Sequence, residues 1–172
     1  MFGSSAVSIN PLPTAFTIMA PSANSYCVGG TGVNLVLSSS EVGVNYQLLN
    51  GATIVGAAAG TGSLINFGFF TGAGTYTVVG TNTTTGCVGT MSGSINLVVN
   101  PLPTAQTVTV TGGGAYCAGG TGQTIGLTTS QSGVSYQLYL GGAPVTGTGA
   151  IVSGTGGAIN FGLRTIAGSY TV

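Results

Sequence analysis

Charge is almost missing from this sequence. Glu41 and Arg164 are the only charged side chains in 172 residues, and histidine and tryptophan are absent. Soluble domains usually carry about 25% charged residues. The deficit excludes whole classes of chemistry. General acid–base catalysis needs a His, Asp, Glu or Lys within reach of a substrate. Calcium needs several carboxylate or carbonyl oxygens, and a nucleic-acid backbone needs Lys and Arg in numbers. No enzyme activity, metal, cofactor or nucleic-acid partner is therefore expected. No apolar run approaches the roughly 20 residues of a membrane helix, so no membrane insertion is expected. Met1–Ile9 lacks the basic region and long apolar run of a signal peptide.

What remains is apolar and glycine-rich: 43% hydrophobic residues and 33 glycines. A disordered tail would be poorer in apolar residues, and collagen would place glycine at every third position. Formal net charge is zero, a condition that promotes association. The chain is expected to sit in an assembly, to carry glycans, or both.

The sequence repeats itself. Asn-Pro-Leu-Pro-Thr-Ala at 10–15 recurs at 100–105, and Tyr26-Cys27 recurs as Tyr116-Cys117. Gly43-Val44 and Tyr46-Gln47-Leu48 recur as Gly133-Val134 and Tyr136-Gln137-Leu138. Between 10–49 and 100–139, 20 of 40 positions are identical at an offset of 90. The offset then becomes 94: Ile65-Asn66-Phe67-Gly68 matches Ile159-Asn160-Phe161-Gly162, and Tyr76 matches Tyr170. Four residues are thus inserted in the glycine-rich stretch around Gly141–Gly157, where a surface loop grows easily. Residues 1–9 match 91–99, with Val7 and Ile9 at the positions of Leu97 and Val99. They read as the last strand of a preceding repeat. Residues 10–99 read as one complete repeat, and 100–172 as a second that lacks its C-terminal strand.

Strand signals dominate. Val44, Tyr46 and Leu48 alternate with polar residues, as do Ile95, Leu97 and Val99, and no window has a helical period. Strands are predicted near 14–20, 33–39, 43–49, 52–57, 63–70, 74–82 and 88–99. Seven short strands in about 90 residues indicate an all-β fold of tandem immunoglobulin-like, Greek-key β-sandwich repeats. Pro11, Pro13, Pro101 and Pro103 lack donors and favour extended backbone, so they read as joints between repeats.

Cys27 and Cys87 lie 60 residues apart in the complete repeat. An intra-repeat disulfide is expected, worth roughly 4 kcal/mol in the chain-entropy model; two buried free thiols are the alternative. The partner of Cys117 would fall beyond residue 172, which leaves it unpaired. A catalytic thiol fails for want of a His base. Gly29-Gly30-Thr31-Gly32 runs into a strand-like segment without a Lys, so it is a turn and not a phosphate loop. Tyr76 and Tyr170 sit in Gly-x-Tyr-x-Val contexts that match a tyrosine corner; an ordinary core tyrosine is the alternative. Asn82-Thr83-Thr84 has the form of an N-glycosylation sequon. Thr107, Thr109 and Thr111 read as the wet face of a strand, and Glu41 and Arg164 as surface drift.

The series NPLPTA, YCxGGTG, GVxYQL, INFG and AGxYTV resembles tandem immunoglobulin-like repeats of very large secreted surface proteins of gliding and environmental bacteria. Those proteins are adhesin-like and commonly exported by type IX secretion. The resemblance implies an extracellular or cell-surface array, with a disulfide carried onto Cys27 and Cys87. It transfers no catalytic residue, and the lack of aspartate removes calcium-stabilised linkers. The expected function is a structural module of an extracellular filament or adhesin stalk, its partner being itself. Units would join as a covalent array or by strand donation, with Val7 and Ile9 on the donated strand. A carbohydrate-binding sandwich is the alternative.

Overall fold

A computed structural model describes residues 5–172. The chain divides into two compact units, residues 1–102 and 103–172. Both are built from β-strands, and the described residues contain no α-helix.

In the first unit, alternation of apolar and polar residues generates the strands and decides which face is buried. The strands are β1 (Ile18–Met19), β2 (Ser25–Cys27), β3 (Val33–Leu37), β4 (Val44–Asn50), β5 (Thr53–Ala59), β6 (Ile65–Phe70), β7 (Gly74–Asn82), β8 (Val88–Thr90) and β9 (Ile95–Asn100). Along β4, Val44, Tyr46 and Leu48 are buried while Asn45 and Gln47 are exposed. One sheet has the order β1-β3-β6, and the other β2-β9-β7-β4-β5, with β8 also on β7. This split is that of an immunoglobulin-type sandwich. Between the sheets lie Leu35, Leu37, Tyr46, Leu48, Tyr76, Val78 and Leu97, each at most 1% exposed. Each such large side chain contributes about 1.5–3 kcal/mol by leaving water.

Two predicted strands differ from the structure. The 88–99 segment splits into β8 and β9 because Ser92 leaves the edge of β7. Its N–H donates to the Phe16 carbonyl at 2.7 Å, and its carbonyl accepts from Ile18 at 3.1 Å. Residues 14–20 therefore contribute a two-residue strand plus a parallel bridge, Thr17 with Ser92. The segment straddles both sheets. β2 was not predicted; its three residues pair in parallel with β9, a contact that no short-range pattern announces.

The second unit repeats this plan with interruptions. Its strands are β10 (Val108–Val110), β11 (Gln123–Leu127), β12 (Ser135–Gln137), β13 (Tyr139–Leu140), β14 (Ala143–Pro144), β15 (Ile151–Ser153), β16 (Ile159–Arg164) and β17 (Tyr170–Thr171). β10-β11-β16 form one sheet; β12-β15 and β14-β13-β17 form the other in two pieces. The four inserted residues lie between β14 and β15 and open the hairpin that β4 and β5 close in the first unit. Gln137 fills the break: its amide donates to the carbonyls of Leu138 at 2.8 Å and Val145 at 2.9 Å. A second core gathers Ile125, Leu127, Tyr136, Leu138, Ile159 and Phe161.

Candidate functional site

The most distinctive feature of the second unit is a slot. In the first unit β9 lies between β2 and β7, and its Leu97 is 1% exposed. Ile95 and Val99 of the same strand pack on the core. The second unit has no strand at the corresponding place among its described residues. Residues 115–117, which correspond to β2, form no ladder. The space is a groove of about 440 Å³ lined by Val108, Val110, Tyr116, Ile125, Ile166 and Tyr170 among others. The counterparts of three of these in the first unit are Ile18, Leu35 and Tyr76, all covered. Val108 is 37% exposed where Ile18 is 3% exposed. The groove lies open along a strand edge, and Thr109, Gln123 and Arg164 add polar groups to its apolar wall.

Val7 and Ile9 are 94% and 95% exposed and belong to no strand. Residues 1–4 of the expected 1–9 strand lie outside the described residues. In the repeat alignment Val7 and Ile9 occupy the positions of Leu97 and Val99, the residues that fill the slot in the first unit.

Polar side chains hold equivalent loops in both units with the same bonds. The Tyr76 hydroxyl donates to the Gly72 carbonyl at 2.8 Å, and Tyr170 to Ile166 at 2.8 Å. Both are tyrosine corners, at the start of β7 and of β17. Tyr26 donates to the Thr71 carbonyl at 2.6 Å, and Tyr116 donates to that of Thr165. The Glu41 N–H donates to the Tyr46 hydroxyl at 2.9 Å, and the Gln131 N–H to that of Tyr136 at 2.8 Å. The buried Ser40 and Ser130 hydroxyls each donate to a loop carbonyl at 2.6 Å. Burial raises the Tyr76 phenol above its ordinary 10.0, opposed by a hydrogen bond with Asn50. Burial raises Tyr46 as well, and the Glu41 charge adds to the effect.

Glu41 and Arg164 are not drift. Glu41 accepts the Thr14 N–H at 3.3 Å, and Gln131 accepts the Thr104 N–H at 2.8 Å. Both tie the segment after the Asn-Pro-Leu-Pro joint to the sandwich, and the task needs an acceptor oxygen, not a charge. The shared Glu/Gln acceptor at offset 90 was the available signal. Arg164 donates through Nη2 to the Phe161 carbonyl at 2.6 Å and bonds Thr148 of the inserted loop at 3.4 Å.

The expected intra-repeat disulfide is corrected. All three cysteines are free thiols, and Cys27 and Cys117 are exposed. Cys27 ends β2 in register with Asn100. Cys87 lies beyond the other end of β7, with its Sγ 3.8 Å from the Asn10 carbonyl. Gly74 of β7 faces Leu97, and Thr81 of β7 faces Val88. The length of β7, roughly 25 Å at about 3.3 Å per residue, separates the thiols, whereas a disulfide needs Cα atoms within about 7 Å.

The joint prolines differ in burial. Pro13 is buried, and Pro11, Pro101 and Pro103 are exposed. Pro13 packs over Gly89, where an added Cβ would meet its carbonyl oxygen at 3.3 Å. Asn82 is half-buried at the end of β7, and its Oδ1 accepts the N–H groups of Thr84 and Thr85 at 3.0 Å. Thr111 accepts the Thr124 N–H at 3.1 Å, and Thr107 and Thr109 are exposed. Among the described residues the exposed aromatic side chains are Phe69 and Tyr116.

No family model matches the chain, and no curated protein does. Among solved structures, the human OSCAR ligand-binding domain is similar at 16% identity. That match covers 87% of this chain and 82% of that one, with a TM-score of 0.44. At this level the likeness adds no argument; the fold assignment rests on the strand order above. No helix among the described residues is long and apolar enough to cross a membrane.

Proposed function

We propose that the chain is a structural repeat module of an extracellular filament or cell-surface adhesin stalk, its repeats stacked end to end. The observation that carries the reading is that both units repeat one sandwich plan and fasten the segment after the Asn-Pro-Leu-Pro joint to it in the same way, Thr14 N–H to Glu41 and Thr104 N–H to Gln131. The lack of charge favours this use, since little electrostatic repulsion opposes association. On this reading the module catalyses nothing, works outside the cell, and carries a sugar at Asn82 where the machinery exists.

Single-molecule stretching and a glycan-array screen of the purified chain test the reading. Abrupt unfolding of the first unit in one force peak and no sugar binding are expected. Extension without a force peak, or saturable binding of a sugar, would sink the proposal.

A further inference from the structure

We propose that Asn50-Gly51 is a deamidation site that the folded first unit keeps shut and that unfolding opens, so that a unit held open is chemically marked and refolds with a weakened corner. Asn-Gly occurs once in the chain; every other asparagine is followed by proline or by another residue with a side chain. Glycine carries no Cβ, so its nitrogen approaches the preceding side-chain amide more freely than that of any other residue. In an unfolded chain Asn50 is therefore the asparagine that reacts first.

The fold removes that freedom. Asn50 ends β4 between two strands, in register with Thr53 of β5 and Tyr76 of β7. The attacking nitrogen is engaged: the Gly51 N–H donates to the Thr75 carbonyl at 3.0 Å. The leaving nitrogen is engaged too, since Asn50 Nδ2 donates to the Ala73 carbonyl at 3.2 Å. The side-chain oxygen lies against Gly74, where an added Cβ would collide with it. For attack, the Gly51 nitrogen must swing onto Asn50 Cγ, which breaks both bonds and the end of the β4–β7 ladder. Bonds of this kind open only by local unfolding.

The second unit keeps the corner without the reactive amide. Leu140-Gly141 takes the place of Asn50-Gly51. The Gly141 N–H donates to the Ser169 carbonyl at 3.0 Å, and a Cβ at Gly168 would meet Leu140 Cδ1 at 2.6 Å. An apolar side chain thus packs the same corner.

The reaction needs only water. The deprotonated Gly51 nitrogen bonds to Asn50 Cγ, the Cγ–Nδ2 bond breaks, and ammonia leaves with the proton. Water then adds to one of the two carbonyls of the cyclic imide. Opening at Cγ gives aspartate, and opening at the main-chain carbon gives isoaspartate. Neither product restores the corner. A carboxylate has no proton to donate to the Ala73 carbonyl, and isoaspartate also lengthens the main chain of the hairpin by one methylene.

The test holds the full chain in warm, mildly alkaline buffer, both native and unfolded in urea. Peptides are then mapped by mass spectrometry with fragmentation that distinguishes aspartate from isoaspartate. In urea, Asn50 should gain the mass of an amide-to-acid exchange ahead of every other asparagine. Native chains should react at least about tenfold more slowly, because attack waits on local opening. Tyr76→Phe, which loosens the 72–76 loop, should raise the native rate and leave the urea rate unchanged. After refolding, modified chains separated by anion exchange should unfold at lower urea than the unmodified pool. Asn50→Asp should reproduce that loss, and Asn50→Leu, which copies the second unit, should remove the modification at this position. Equal native and urea rates overturn the gate, and reaction first at another asparagine overturns the site. An unchanged urea midpoint in modified chains and in Asn50→Asp overturns the weakened corner.

Discussion

Tyr76 is the third residue of β7 and bonds back to Gly72, four residues earlier, at 2.8 Å. The bond fastens the loop between β6 and β7 to the strand that carries most of the first unit's pairing. Its ring is 1% exposed and stands 5.6 Å from Phe70, tilted by 56°. Tyr76→Phe keeps the ring and removes the bond. It should cost the first unit about 1 kcal/mol, the net worth of one hydrogen bond. Urea titration with an unchanged slope checks this; an unchanged midpoint would refute it.

The tyrosines also set the response to alkali. Burial raises Tyr46 and Tyr76 in the folded state above the 10.0 of the unfolded chain. Below pH 10 both states keep the proton, so the stabilisation is complete. As pH climbs past 10 the unfolded chain releases protons that the folded unit holds, and stability falls until the folded groups titrate too. Circular dichroism against pH should therefore show alkaline unfolding of the first unit. Tyr46→Phe should delay its onset relative to a wild-type midpoint matched for stability.

Salt should do little. With one cation and one anion in the chain, the change in Debye length from about 30 Å at 0.01 M to about 8 Å at 0.15 M has few interactions to screen. Melting temperatures across that range should agree within a degree or so for a domain of this size.

Gly60 and Gly154 are required by space, not by backbone conformation. A Cβ at Gly60 would collide with the Glu41 carbonyl, and one at Gly154 with that of Gln131. Each glycine also donates across the hairpin, Gly60 to Val44 at 2.8 Å and Gly154 to Val134 at 2.7 Å. Gly60→Ala should destabilise by on the order of 3 kcal/mol, the upper range for overpacking. Gly43→Ala meets nothing within 4 Å but has φ of 83°, so it should cost only about 1 kcal/mol of backbone strain. Thermal melts of the two variants separate the causes.

Glu41→Gln should be nearly neutral, because Gln131 makes the same bond to Thr104. Glu41→Ala should lose about 0.5–1 kcal/mol and loosen the segment around Thr14, seen as faster amide exchange there.

The parts of the fold that obey a local rule were legible. Alternation placed β4, β6 and β7 within a residue or two, and Gly-x-Tyr-x-Val located both corners. The four-residue change of offset located the loop between β14 and β15. Long-range relationships were not legible. Ser92 crossing to Phe16 broke a predicted strand in two, and β2 exists only because β9 lies beside it. The cysteine expectation failed for the same reason. Sixty residues of separation say nothing about which ends of a sandwich the thiols occupy, and here they occupy opposite ones. The groove on the second unit was not legible, because an exposed wall is a property of packing.

The parallel pairing of Ser25–Cys27 with Val98–Asn100 has a mechanical consequence. Tension applied at Asn10 and Asn100 pulls these neighbouring segments past each other along their length. The bonds Val28 to Asn100, Val98 to Asn24 and Ile18 to Ser92 are then loaded together instead of peeling one at a time. A unit wired this way yields abruptly and at high force, which is what a load-bearing thread needs of each of its links.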